Sequence, residues 1–329
     1  MKDTITVAKT RFKTDKGLVA RMGLTIFLLG ALYVLFVGVL IAIGLPIITV
    51  LVIGIVILFV QYFFSDKIAL FGMHGKLVTE QEAPELYQII RRLCTLANMP
   101  MPKVAMARTD MPNAFATGRN PKNAVVCVTS GLLRRLDTEE VEAVLAHELS
   151  HVAHRDVAVM TIASFLGMIA GMLTRVLYYS ELFGGIGFGG GGGGGYGGRG
   201  GGRSNNNSAA GNIFAIEAGV MLVSIVVYAI SFLLIRALSR YRELSADRSG
   251  AILIGRPSLL KSALIKITGE MGRIPTKDIR SAAAFNAFYF TPAVARGQFS
   301  ISTIFSTHPS IERRIAELDK LERELGTAE

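Results

Sequence analysis

His147-Glu148-Leu149-Ser150-His151 sets two histidines four residues apart, with a glutamate beside the first. On a helix of 3.6 residues per turn, positions i and i+4 lie on one face, one turn apart, so both imidazoles converge on one metal ion. Glu148 then stands where its carboxylate can take a proton from a metal-bound water, whose pKa zinc lowers to about 7. Such a set can hydrolyse a carbonyl substrate such as a peptide bond. A five-residue match of this kind also arises by chance on surface helices, so other residues must support it. The chain has five histidines, and His147, His151 and His154 fall within eight residues of one another, which chance does not favour.

A catalytic zinc needs a third protein ligand and one open position. Glu243 and Asp247 offer one, again four residues apart on one helical face. Glu243 completes the metal site, and Asp247 accepts the spare ring N–H of a ligand histidine and so fixes its tautomer. The competing explanation is an ordinary solvated carboxylate pair. His154 shares the broad face of His147 and His151, and stands either as a further ligand or as a hydrogen-bonding or surface residue. Two histidines and a carboxylate also bind other divalent metals, iron included, but HExxH on a helix favours one zinc ion per chain.

Several elements must hold these groups. Asp137-Thr138-Glu139-Glu140 resembles a capping box with Asp as N-cap, opening a helix that runs through His147 and His151. Ala83–Asn98 reads as a helix with Leu86, Ile89, Ile90 and Leu93 in an apolar stripe. Lys103–Ala107 and Ala124–Thr129 read as strands and Asn113–Thr117 as a shorter one, divided by the turn formers Asp110, Pro112, Gly118, Asn120 and Pro121.

The composition is that of a membrane protein: 51% of the 329 residues are hydrophobic and the mean hydropathy is +0.45. Between Arg21 and Asp66 lie 44 residues without a charge. Crossing ~30 Å of hydrocarbon takes about 20 helical residues. The stretch therefore reads as a hairpin, residues 22–42 and 47–64, turning at Gly44-Leu45-Pro46, and it is too long for a signal peptide. Weaker apolar runs occupy 157–179 and 212–236. The histidines precede the third run and Glu243 follows the fourth, so either both runs span or neither does. Buried helices of a membrane-associated domain are the alternative to spans. The net charge of +10 reports orientation: a basic tail over residues 1–21, and Arg236, Arg240, Arg242 and Arg248 after the fourth run, place both ends in the cytoplasm. Glycine dominates residues 184–207 and predicts a flexible loop within 180–211; its two arginines are too few for a nucleic-acid segment. Glu217 is expected at the far interface. Cys94 and Cys127 read as reduced thiols.

HELSH, the downstream ELSAD, and Thr307-His308-Pro309-Ser310 with Arg314 together resemble the HtpX membrane metalloproteases, with HExxH of the gluzincin type, and more distantly the CAAX prenyl proteases. The resemblance covers essentially the whole chain. It departs in one place, since His154 stands where asparagine is common. The resemblance implies a mostly α integral membrane protein with four transmembrane segments and an α+β zincin-like metalloprotease domain, built from residues 65–156 and 237–329. It implies an endopeptidase of the cytoplasmic membrane with its site facing the cytoplasm, acting on misfolded or damaged membrane proteins in stress-linked quality control. His308 and Arg314 would stabilise the oxyanion. Asn113, Ala114 and Phe115 would form an edge strand that binds extended substrate. Partners would be polypeptides and the lipid bilayer, without nucleic acid. Two rivals remain, a prenyl-protein protease, which needs a larger chamber, and a catalytically silent binder, which would have lost Glu148.

Overall fold

The computed structural model describes residues 16–42, 62–156, 206–271 and 308–326, with scattered positions between 48 and 60 and between 159 and 171. The expectations for residues 47–64, 157–179 and the glycine-rich stretch, and for Thr307, lie largely or wholly outside these residues. The chain divides into two compact units. One comprises Met1–Ile26, Ile57–Ile162 and Ile235–Glu329, the other Phe27–Val56 and Ala163–Leu234.

The second unit takes most of helix α1 (Lys16–Ala42) and the first part of α6 (Asn206–Ile254). Among the described residues these are the two helices long and apolar enough to cross a membrane. Phe27, Val34, Leu35 and Leu222 are left well exposed on them, an arrangement that water disfavours and lipid does not.

The first unit holds a four-stranded mixed sheet with helices α2 (Ser65–Gly72), α3 (Pro84–Ala97), α4 (Ser130–Leu133) and α5 (Thr138–Ala153). The end of α6, then α7 (Pro257–Met271) and α8 (Ile311–Gly326), complete it. The strands are β1 (Gly75–Leu77), β2 (Lys103–Ala107), β3 (Ala114–Thr117) and β4 (Val125–Thr129), in the order β1-β2-β4-β3. β2 and β4 run parallel, with Val104 opposite Val126, while β1 and β3 close the edges antiparallel. Central β4, Val-Val-Cys-Val-Thr, is buried at every position, as a β-branched run covered on both faces should be.

The strands read from the sequence are present within a residue of their expected ends, and α3 fills the expected 83–98 helix with Pro84 in its first turn and Asn98 left-handed at its end. Its Leu86, Ile90, Leu93 and Ala97 are buried at helical spacing in the core, where the helix packs on α5. β1 escaped the sequence, because three residues hold too little alternation to read.

Two local devices aim the functional segments. Thr129 Oγ1 accepts the Asn113 N–H at 2.8 Å and lies 2.8 Å from the Met111 carbonyl, tying the 111–113 turn to the end of β4 so that β3 starts at a fixed point. At the start of α5, Glu140 Oε2 accepts the Asp137 N–H at 3.0 Å, and its buried carboxylate also takes Lys266 (2.8 Å) and Ser262 (2.6 Å) from α7. The expected capping segment thus also clamps α5 to α7.

Glu243, Asp247 and Gly250 lie at i, i+4 and i+7 of α6, one stripe that faces α5. A Cβ on Gly250 would sit 2.7 Å from the His147 backbone nitrogen, so only glycine allows the two helices this approach. Gly250→Ala is expected to cost about 1–3 kcal/mol by overpacking, seen as a lowered thermal midpoint in detergent with unchanged helical circular dichroism. An unchanged midpoint would show that the helices do not meet at this residue.

Candidate active site

α5 brings His147 and His151 to one face, and α6 lays Glu243 across them. The Nε2 atoms of the histidines are 3.2 Å apart, and the Glu243 oxygens lie 3.6 Å from His147 Nε2 and 3.5 Å from His151 Nε2. All three residues are buried, and they form the one group of metal-capable donors among the described residues. A tetrahedral zinc with bonds of roughly 2.0–2.1 Å separates its ligands by about 3.3 Å, so this triangle has the size that such an ion requires.

Each histidine is held from behind. His147 Nδ1 is 2.8 Å from Asp247 Oδ1, and Arg314 grips Asp247 with two nitrogens, Nε at 2.7 Å and Nη2 at 2.6 Å. His151 Nδ1 is 2.6 Å from Asp156 Oδ2, and Arg242 Nε lies 3.1 Å from the same oxygen. Both rings thereby present Nε2 to the centre. Four carboxylates (Glu148, Glu243, Asp247, Asp156) against two guanidinium groups (Arg314, Arg242) leave a balance of −2 around neutral imidazoles, which a divalent cation neutralises. Burial opposes a charge on His147, yet hydrogen bonds to Asp247 and Glu243 outweigh it and push its pKa up to about 9. The centre attracts positive charge. The donors, their spacing and their charge all fit a metal such as zinc.

Glu148 is buried beside the triangle, and burial pushes its pKa up against the pull of His147 and His151. Its Oε2 accepts the Ala116 N–H at 2.9 Å. Asn113 and Thr129 bond through their backbones on the β4 side of β3, so by strand alternation Ala114 and Ala116 direct theirs to the outer edge. Ala114 and Phe115 lie within β3 and Asn113 just before it, all three buried. His308, buried as well, places Nδ1 3.2 Å from Glu243 Oε2. His154 ends α5 and stands outside the donor group.

Asp156, Arg242 and Ala116 were not legible as site residues. Asp156 lies five residues past His151, and it returns to the histidine because Arg155 adopts a left-handed backbone, φ +57°. Arg242 counted only as orientation charge in the sequence. The structure adds a second role by pairing it with Asp156, as it pairs Arg248 with Glu324.

Residues 80–322 match peptidase family M48. The chain belongs to peptidase family M48. It is 54% identical to protease HtpX homolog 1 of Streptomyces coelicolor, across 97% of this chain and 98% of that one. With protease HtpX homolog 2 of Methanosarcina mazei it shares 48%, across 97% and 100%. Among solved structures, S. mikatae Ste24p shares the fold, with a TM-score of 0.51 at 19% identity, covering 88% of this chain and 62% of that one. This M48 peptidase is a membrane-associated metalloprotease that acts on polypeptides.

If Asp156 orients His151, Asp156→Ala should weaken zinc binding about 10–100-fold, read by competition with a coloured chelator. Zinc held as tightly as by the wild type would mean that the contact is incidental to metal binding.

Proposed function

We propose that this M48 peptidase is a zinc-dependent endopeptidase of the cytoplasmic membrane, crossing it four times with its active site towards the cytoplasm. It cleaves misfolded or damaged membrane proteins in stress-linked quality control. The observation that carries the reading is the buried triangle of His147, His151 and Glu243, with Glu148 beside it against an edge strand. Four crossings are supported by the charge-free hairpin run and by the two further apolar runs between the histidines and Glu243. The basic residues before the first run and after the last support the orientation, and the HtpX proteases of similar sequence support a polypeptide substrate.

In this reading His147, His151 and Glu243 hold one zinc ion, which when bound supplies Lewis acidity and an acidified water. An extended peptide pairs with the outer edge of the strand entered through Asn113, Ala114 and Phe115, by main-chain hydrogen bonds. Glu148, steered by the Ala116 N–H, takes the proton of the attacking water and returns it to the departing amine. His308 and Arg314 steady the oxyanion, His308 from its place beside Glu243, Arg314 by a buried positive charge anchored on Asp247. Asp247 keeps His147 in the tautomer whose Nε2 is a donor to the metal.

Glu148→Gln is expected to keep about one zinc per chain while lowering cleavage of casein or of an unfolded membrane protein by at least ~10²–10⁴-fold. Equal cleavage by variant and wild type, at equal zinc content, would sink this mechanism.

A further inference from the structure

Behind the metal centre, on the far side of Asp247, the first unit carries a polar cavity. It is about 170 Å³ in volume and open to solvent, and it lies where the first turns of α1 meet α6 and α8. Its floor is made of the buried side chains Leu244, Leu318 and Leu321, with Asp247 at the back. Its rim carries Arg21 of α1, Arg248 of α6, and Arg313 and Lys320 of α8, against one acidic rim residue, Glu317.

Two of these charges are already matched inside the protein, Asp247 by Arg314 and Arg248 by Glu324. Arg21, Arg313 and Lys320 form no ion pair among the described residues. Three cations thus face one carboxylate across a concave site, an arrangement that repels itself unless an anion is present. Arginine and lysine together suit a phosphate, the guanidinium by its flat fork of donors and the ammonium as a point charge. Arg21 is also the last charged residue before the apolar run of α1. Basic side chains at such a position meet the phosphates of anionic lipids, and the leucine floor suits the first carbons of an acylated glycerol.

We infer that the cavity between α1, α6 and α8 binds a phosphate ester anion, held by Arg21, Arg313 and Lys320. Two sources share this chemistry, the headgroup of an anionic phospholipid and free phosphate. This inference is separate from the proposed catalysis, since the ligand does not touch the metal donors and its binding is read without cleavage.

The test uses the full chain in non-ionic detergent, titrated calorimetrically with short-chain phosphatidylglycerol and, separately, with inorganic phosphate. Wild type is compared with Arg313→Gln/Lys320→Gln, exposed positions that leave the catalytic groups untouched. Lys103→Gln/Lys122→Gln is a charge-matched control elsewhere on the surface. The expected result is that Arg313→Gln/Lys320→Gln binds phosphatidylglycerol at least about tenfold more weakly, while the control binds like wild type. Displacement of the lipid by inorganic phosphate would assign the site to a free anion, and failure to displace it would assign it to the lipid headgroup; both keep the phosphate site. Equal binding by wild type and Arg313→Gln/Lys320→Gln, or equal loss in the control, would overturn it.

Discussion

The contact on which the site depends is the approach of α6 to the HExxH helix at Gly250. It brings a glutamate from 92 positions further along the chain between two imidazoles that one helix has already paired. Without a side chain at 250 the helices can close until the His147 backbone is in contact. Asp247 and Glu243, one and two turns earlier on the same stripe, then reach opposite nitrogens of the same ring, Nδ1 and Nε2. A single helix placement sets both a donor able to hold a metal and the carboxylate that orients the neighbouring histidine.

Such an approach concentrates charge where water is excluded, and uncompensated ions there cost several kcal/mol each. The answer is repeated twice in the same chemical order, histidine, carboxylate, arginine: His147–Asp247–Arg314 and His151–Asp156–Arg242. Each arginine neutralises the carboxylate that orients a ring. What is left uncompensated is Glu243 and Glu148, the two carboxylates at the open centre. With its imidazoles neutral the folded protein therefore carries a −2 balance that a bound divalent cation cancels, and it places that charge beside a triangle of donors 3.2–3.6 Å on a side. In physical terms the protein's selection for a divalent ion lies in this balance as much as in the identity of the ligands.

Much of this was legible because helical periodicity converts spacing into direction. His147 with His151, and Glu243 with Asp247, are i,i+4 pairs, and one pair needs only the other to make a centre. The helix of 83–98 and the strands around 103–129 carried enough buried pattern to be placed within a residue or so. What stayed hidden depends on geometry that spacing does not encode. Asp156 reaches His151 only because the non-glycine Arg155 accepts a left-handed conformation, which costs about 1–2 kcal/mol and has no composition signal. Arg242 looked like one more cation at the end of an apolar run, since a topological charge and a buried partner read alike in sequence. The bond from Ala116 to Glu148 is made by a backbone N–H, which no side-chain pattern can announce.

In the proposed reaction that last bond ties substrate and base to one object. β3 is an edge strand, and of its outward-facing groups the Ala116 N–H already belongs to Glu148. A peptide laid along this edge in that reaction takes its N–H donor from Ala114, because the Asn113 backbone is turned to β4 and the Ala116 donor is occupied by the base. The register of the peptide is then set by the same strand that aims the carboxylate, so the scissile carbonyl and the base are positioned relative to each other before any side chain of the substrate is read. Main-chain pairing supplies affinity without demanding a particular sequence. A protease arranged in this way selects its substrates by whether a segment can be presented as an extended strand, a property that unfolded polypeptide has and a packed helix lacks.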